Sequence, residues 1–150
     1  MVGDGPERER LNAMIVQGGV GDCVTLEGWK SQEDVAELLS ESDVFAFPTI
    51  REAGGNVILE AMSSGLPCIV PAYGGPAQLV DDDTGIRIPL TTREQLINDY
   101  EQAMLSMVVD DDRRQRMSQA ARNKALQEFD WAMKGKRLYQ LCSEVVNSAA

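Results

Sequence analysis

Two glutamates enclose a pair of glycines near the middle of this sequence. Glu52 and Glu60 are eight residues apart, and Gly54, Gly55 and Asn56 lie between them. Glycines at the start of a helix let a ligand approach the backbone, where the first N–H groups have no partner inside the helix. Those N–H groups attract an anion such as a phosphate, and carboxylates bind sugar hydroxyls through charge-assisted hydrogen bonds. The pattern predicts a phosphate site flanked by two sugar-binding carboxylates.

A structural explanation of the same residues remains open at this point. The chain contains 24 Asp and Glu residues, so two glutamates at this spacing also arise by chance. A pair of glycines also begins helices that bind nothing. The functional interpretation therefore depends on where the surrounding elements place these residues.

Composition excludes several other classes of function. The 150 residues include 14 Lys and Arg against 24 Asp and Glu, a net charge of −10, which argues against nucleic acid as a partner. The chain has no histidine, which rules out Ser-His and Cys-His catalysis. Its three cysteines are far apart and predict reduced thiols in the cytoplasm, and no apolar run approaches the length of a membrane span.

Short apolar runs alternate with helical patterns over the first 89 residues. This alternation predicts an α/β fold, a Rossmann-like parallel sheet with helices on both faces. The predicted strands are 1–3, 23–26, 44–47, 68–70 and 86–88. Three further helices, near 92–108, 112–128 and 131–146, are predicted to pack outside the sheet through apolar stripes. The stripe predicted for the first of them contains Leu96, Ile97, Tyr100, Met104 and Val108.

Ligands of such sheets bind beyond the carboxyl ends of the strands, so the loops there are the candidate sites. The turn 3–6 begins like a dinucleotide-binding loop, but Arg8 replaces its third glycine, which favours a plain turn. In the loop 28–31, Trp29 either flanks a base or packs at the edge of the core. The double glycine in 72–76 is equally consistent with a turn and with a ligand contact. The run Asp81–Asp83 is predicted to be a solvated turn rather than a metal site.

These residues together resemble the C-terminal, donor-binding half of the retaining GT-B glycosyltransferases of family 4, the glycosyl transferases group 1. The resemblance covers essentially the whole chain. Its most specific part is the Glu-x7-Glu element that ends at Glu60 and continues into Ala-Met-x-x-Gly-x-Pro. The supporting segments are 3–7, 24–28, 42–49, 73–76, 79–80, 84–85 and 129–131.

The resemblance implies a site for a nucleotide-diphosphate sugar, with no cofactor and no metal. By that match Glu60 binds the ribose, and Glu52 contacts the transferred sugar and is the catalytic candidate. The backbone at Gly54, Gly55 and Asn56 receives the diphosphate. Gly28, Trp29 and Lys30 border the base. The implied reaction transfers a hexose with retention to a glycan, lipid or small-molecule acceptor, by front-face attack.

The sequence departs from the family pattern in two ways. Gly54 stands where family members carry an aromatic or bulky apolar residue. We also expect the first strand–helix unit of the family domain, with its Arg and Lys, and the N-terminal acceptor domain to be missing. The expectation is then a single incomplete domain, 1–150, that is inactive alone and cytoplasmic, with any contact to a membrane made through the missing half.

Three alternatives accompany this interpretation. A non-catalytic module that binds a nucleotide or nucleotide sugar is the main one. A structural domain without a ligand and a dinucleotide-dependent oxidoreductase are the others.

Arg51, the basic residue nearest to Glu52 in sequence, is interpreted here as a solvated loop cation. Trp131 and Tyr139 are expected to pack the last helix against the domain or against the missing half.

Overall fold

The computed structural model describes residues 1–52 and 54–148 of the chain. The Cα positions group into two compact units, Met1–Leu38 and Leu39–Ala150. Each unit is described by itself below.

The first unit contains helix α1 (Arg8–Gly18) and most of helix α2 (Gln32–Ser40). Helix α1 ends where Gly19 takes a left-handed conformation, as the Gly18–Gly19 pair predicts. At the start of α2, Asp34 N–H donates to Ser31 Oγ at 3.1 Å and Ser31 N–H donates to the Asp34 carboxylate at 3.2 Å. This reciprocal pair is the capping box that the sequence indicates.

The predicted strands 1–3 and 23–26 are wrong. Residues 23–26 form no strand, and Val2 and Gly3 make only isolated bridges to Gly28. One bridge is parallel and the other antiparallel, because Gly28 turns the chain with a φ of 70°. Two such bridges at one residue cannot continue as a ladder, so the pairing stops there.

The second unit is built on a parallel sheet of three strands in the order β1 (Phe45–Ala46), β2 (Cys68–Pro71) and β3 (Gly85–Ile88). Phe45 is paired with Cys68, and Cys68 with Gly85. Helix α3 (Asn56–Ser63) connects β1 to β2, and helix α4 (Gly74–Leu79) connects β2 to β3. The α/β class and the parallel sheet are confirmed.

Helices cover both faces of this sheet. Helix α5 (Arg93–Val109) packs on one face, where Ile69 of β2 and Ile88 of β3 meet Tyr100 and Met107. Side chains alternate between faces along a strand, so Cys68 and Val70 point to the opposite face, which α3 and α4 contact. Buried apolar area of this kind stabilises the fold by about 25 cal/mol per Å².

Helix α6 (Asp111–Lys124) continues into a π-helical turn (Ala125–Phe129), and helix α7 (Trp131–Ser148) follows. Asp110 caps α6 by accepting from Arg113 N–H at 2.9 Å, as the Asp-rich start predicts. The end of α6 is tied to the turn before β3, because Lys124 Nζ donates to the Asp81 carboxylate at 2.6 Å. Asp82 pairs with Arg87 at 2.8 Å, which agrees with a structural turn.

The predicted stripe of α5 is partly wrong. Tyr100 is buried, but Ile97, Met104 and Val108 are exposed, and the buried residues beside Tyr100 are Ala103 and Met107. The apolar surface of α5 is broad, so the sequence alone does not identify which face is buried. Contact with the strands determines the buried face.

Within the described residues, α7 is not packed against the domain through Trp131 and Tyr139, and the alternative, packing against a missing half, stays a prediction. Trp131 is 89% exposed and Tyr139 is 76% exposed, and none of residues 131–147 is buried. None of the helices in the described ranges combines the length and apolar character needed to cross a membrane.

Candidate functional site

The loop after β1 starts from a fixed strand end. Phe47 N–H donates to Ile69 O at 2.9 Å, and the buried Tyr100 hydroxyl donates to Phe47 O at 3.1 Å. These bonds hold the end of β1 against β2 and α5. The chain then runs through Ile50 and Arg51 to Glu52 at the carboxyl edge of the sheet.

The Glu52 carboxylate binds the backbone at the start of α3. Its Oε1 accepts from Gly54 N–H at 3.0 Å and from Gly55 N–H at 2.9 Å. A carboxylate is stabilised there by the positive end of the helix dipole. The family resemblance assigns these N–H groups to a diphosphate, and that role stays a prediction. In the structure the Glu52 carboxylate occupies them.

Gly55 is required at the start of α3. Its φ is 78°, and a Cβ at this position would lie 3.1 Å from Ile58 Cδ1 and 3.2 Å from Leu79 Cδ1. Both the left-handed backbone and the close packing therefore disfavour a side chain. This packing fixes the position of the start of α3 relative to the core. It therefore also fixes the direction of the first N–H groups of the helix.

The loop after β2 closes the site from the other side. Gly74 begins α4 with a φ of 59°, and a Cβ there would lie 3.0 Å from the backbone oxygen of Glu52. The two loops thus touch, and they border a cleft of about 530 Å³. The cleft is lined by Ile50, Arg51, Glu52, Tyr73, Gly74, Gly75 and Gln78. Tyr73, Gly74 and Gly75 thus line the cleft, and their contact with a ligand stays a prediction.

Glu60 and Asn56 occupy the exposed side of α3. Its buried side is formed by Ile58, Ala61 and Met62. Residues four apart lie on the same face of a helix, so Asn56 and Glu60 share one surface about 6 Å apart along the axis. Glu60 is not among the residues that line the cleft with Glu52. The structure therefore joins Glu52 to the start of α3 and places Glu60 one turn further along it.

Gly28, Trp29 and Lys30 belong to the first unit. Gly28 is buried and its carbonyl accepts from Gly3 N–H at 2.8 Å, while Trp29 is 82% exposed. Lys30 Nζ lies 2.9 Å from the Glu27 carboxylate. This contact lowers the pKa of Glu27 and raises the pKa of Lys30. Their proposed place at the base of a nucleotide stays a prediction.

Gln78 also lines the cleft, although its sequence context indicates no role there. It lies four residues after Gly74, on the side of α4 that faces the cleft. The run Gln78–Val80 predicts a short helix, whereas the helix begins at Gly74. The early start carries Gln78 to the cleft, and the Gly-Gly-Pro sequence was the available signal.

Two buried titratable groups in this unit do no acid–base chemistry near neutral pH. Burial raises the pKa of the Cys68 thiol to about 12, and the thiol donates weakly to Leu66 O. Burial also raises the pKa of Tyr100 to about 12. Both side chains are neutral parts of the core, and Glu52 is the acidic residue that lines the cleft.

Comparison with known proteins identifies the class to which this fold and site belong. Residues 1–124 match the family model "Glycosyl transferases group 1". The chain therefore belongs to this family of glycosyltransferases.

Individual relatives agree with this family. The chain is 32% identical over 87 residues to the amylovoran biosynthesis glycosyltransferase AmsK of Erwinia amylovora, covering 54% of this chain and 21% of that protein. It is 29% identical over 130 residues to the lipopolysaccharide core biosynthesis glycosyltransferase LpsE of Rhizobium meliloti, covering 86% and 36%. The crystal structure of Anabaena HepE in complex with UDP-glucose superposes with a TM-score of 0.74 at 25% identity, covering 95% of this chain and 40% of that one. The chain thus spans between about a fifth and two fifths of the proteins that it matches.

Proposed function

We propose that this chain binds a nucleotide-diphosphate sugar and forms the donor side of a retaining glycosyltransferase, in the position of the C-terminal half of a GT-B enzyme of family 4. The observation that carries the proposal is the meeting of Glu52, the start of α3 and the loop Tyr73–Gly75 in one cleft. The cleft lies at the carboxyl edge of a parallel sheet, where such folds bind nucleotides. A relative of matching fold has UDP-glucose bound.

In this proposal each part of the donor meets a different group of residues. The diphosphate lies at the start of α3, at Gly54, Gly55 and Asn56, and takes the place of the Glu52 carboxylate. The released carboxylate then binds hydroxyls of the transferred sugar. Glu60 binds the ribose hydroxyls one turn along the helix.

The proposed transfer keeps the configuration of the anomeric carbon. The acceptor oxygen attacks from the face that the diphosphate leaves, so a bond from the anomeric carbon to the acceptor oxygen forms as the bond to the phosphate oxygen breaks. The departing phosphate oxygen takes the proton of the acceptor hydroxyl. No carboxylate forms a covalent intermediate in this route. The contribution of the chain is to position the sugar and to stabilise the departing diphosphate.

The acceptor, a glycan, lipid or small molecule, is proposed to be bound by a second half that the longer relatives possess. We therefore expect the 150-residue chain to bind donor without transferring sugar. Joining it to the N-terminal half of a matching relative and assaying transfer separates a donor domain from a binding module without catalysis. Restored transfer supports the first, and binding with no transfer in the joined protein supports the second.

Calorimetric titration of the chain with UDP, GDP and UDP-glucose tests donor binding. Changing Glu60 to Ala should weaken binding of the preferred nucleotide by about 10-fold or more, since it removes charge-assisted hydrogen bonds. Glu101→Ala, an exposed glutamate on α5, is the matched control and should change nothing. Failure of all three compounds to bind contradicts the proposal, and equal binding by both variants contradicts the role of Glu60.

We also propose that donor binding needs no metal ion. In support, Glu52 is the acidic side chain among the described residues that line the cleft, whereas Mg²⁺ binds several oxygen ligands. Titration of UDP in EDTA should give the same affinity as titration with added Mg²⁺. A large loss of affinity in EDTA would show that a metal takes part.

A further inference from the structure

Arg51 has a position in the cleft that its sequence context did not reveal. It lines the same cleft as Glu52 and Tyr73, at the carboxyl edge of the sheet. Within the described ranges its guanidinium has no ion pair or side-chain hydrogen bond. Among the residues that line the cleft it is the basic one.

Four of the other described arginines form ion pairs with acidic side chains. Arg87 pairs with Asp82 at 2.8 Å, and Arg8 lies 3.7 Å from Asp4. Arg114 contacts Asp43 at 3.8 Å and Asp111 as well. In a chain of net charge −10 an arginine facing a cleft without an acidic partner marks a local positive site.

The neighbour of Arg51 on the chain, Glu52, is bound to the backbone. The Glu52 carboxylate is directed at the N–H groups of Gly54 and Gly55. A guanidinium binds carboxylate and phosphate groups through two parallel hydrogen bonds, which a neutral hexose does not offer. The residues that line the cleft thus include this cation together with Tyr73 and Gln78, residue types that suit an oxyanion attached to a sugar.

We infer that Arg51 is a donor-binding residue that pairs with an oxyanion at the sugar end of the nucleotide sugar. This inference rests on the proposed function and adds a residue to it. The oxyanion belongs either to the phosphate next to the sugar or to a carboxylate on the sugar itself. Arg51 holds that group in the cleft while Glu52 holds the hydroxyls.

The experiment measures the affinity of the full chain for UDP, UDP-glucose and UDP-glucuronate by calorimetry. Arg51→Gln removes the charge, and Arg51→Lys keeps the charge without the paired hydrogen bonds. Arg116→Gln, an exposed arginine on α6, is the control for the change in net charge. Arg51→Gln should weaken binding at least 10-fold, Arg51→Lys by less, and Arg116→Gln by less than twofold.

The pattern across the three compounds identifies the oxyanion. An equal loss for all three assigns Arg51 to the phosphate, and a loss confined to UDP-glucuronate assigns it to a sugar carboxylate; both support the inference. Unchanged affinities in Arg51→Gln, with binding by the unaltered chain intact, overturn the inference and leave the proposed function standing. Failure of the unaltered chain to bind any of the three overturns both.

Discussion

Glu52 holds two backbone N–H groups that the proposed diphosphate also needs. A carboxylate and a phosphate are both anions, so they compete for Gly54 and Gly55 and repel each other at close range. Under the proposed function, binding of the donor displaces this side chain and makes the carboxylate available to the sugar. One residue then accounts both for the stability of the free site and for contact with the proposed substrate.

Removing the carboxylate separates these two contributions. Glu52→Ala should bind UDP roughly 3- to 10-fold more tightly, because no internal anion has to be displaced. UDP-glucose should lose its advantage over UDP, because its sugar loses a partner. The variant should also unfold more easily, by about 0.5–2 kcal/mol, as for loss of a helix cap.

Calorimetry with both compounds and urea unfolding measure these effects, and Glu101→Ala again serves as the control. Weaker binding of UDP by Glu52→Ala would show that the carboxylate assists the diphosphate and does not compete with it. The sequence could indicate that Glu52 and the glycines belong together. It could not indicate that the carboxylate turns back onto the helix, because the path of an irregular loop depends on contacts such as Gly74 against the Glu52 backbone.

The elements that position the site were predicted correctly where interactions between neighbouring residues determine them. Ser31, Thr92 and Asp110 stand before α2, α5 and α6 and are residue types that cap helices, and all three caps form. These contacts lie within three residues of each other and depend little on the rest of the chain. The residues 23–26 fail as a strand because a ladder needs a partner, and pairing at Gly28 ends after two bridges.

Two glycines in helical segments should respond oppositely to the same substitution. Gly55→Ala should destabilise the fold by about 1–2 kcal/mol, since its left-handed φ of 78° and its contacts with Ile58 and Leu79 both resist a methyl group. Gly135→Ala, inside α7 with nothing within 4 Å of the added Cβ, should stabilise that helix by up to about 1 kcal/mol. Urea unfolding of both variants measures the difference, and equal effects would contradict the assigned start of α3.

The ion pair of Asp81 and Lys124 links the turn before β3 to the end of α6, and it should make stability depend on pH. Burial alone would raise the pKa of Asp81, but hydrogen bonds from Lys124 and Thr84 lower it below the ordinary value of 3.8. A group whose pKa is lower in the folded state stabilises fully above its unfolded pKa. That stabilisation is lost as the pH falls through the lowered folded value.

Asp81→Asn should therefore cost about 0.5–1.5 kcal/mol near pH 7, and the cost should shrink as the pH falls below the ordinary Asp pKa of 3.8 and through the lowered value of the folded state. Urea unfolding at several pH values measures this, with Asp83→Asn, an exposed neighbour, as the control. A cost that stays constant down to the lowest pH would mean that Asp81 acts through its shape and not through its charge.

At the scale of the whole molecule, the sequence was sufficient to identify the family. It was not sufficient to predict the division into two compact units. The Glu-x7-Glu element and the segments around it are contiguous, so they can be read along the chain. Two compact units, Met1–Leu38 and Leu39–Ala150, arise from contacts between distant residues. The choice of buried face on α5 and α7 depends on the same distant contacts, and this is where the predicted stripes failed.

The described core lies between the sheet of the second unit and helices α3 to α6, and α7 adds no buried residue to it. Met107→Ala should therefore cost about 2–5 kcal/mol, because Met107 is 1% exposed and packs with Ile69 and Tyr100. Leu138→Lys should change the free energy of unfolding by less than about 0.5 kcal/mol, because Leu138 is 63% exposed. Urea unfolding of the full chain distinguishes the two, and Met107→Leu is a control that retains apolar volume. A large loss of stability in Leu138→Lys would mean that α7 is packed in solution, and the boundary of the core would then have to include that helix.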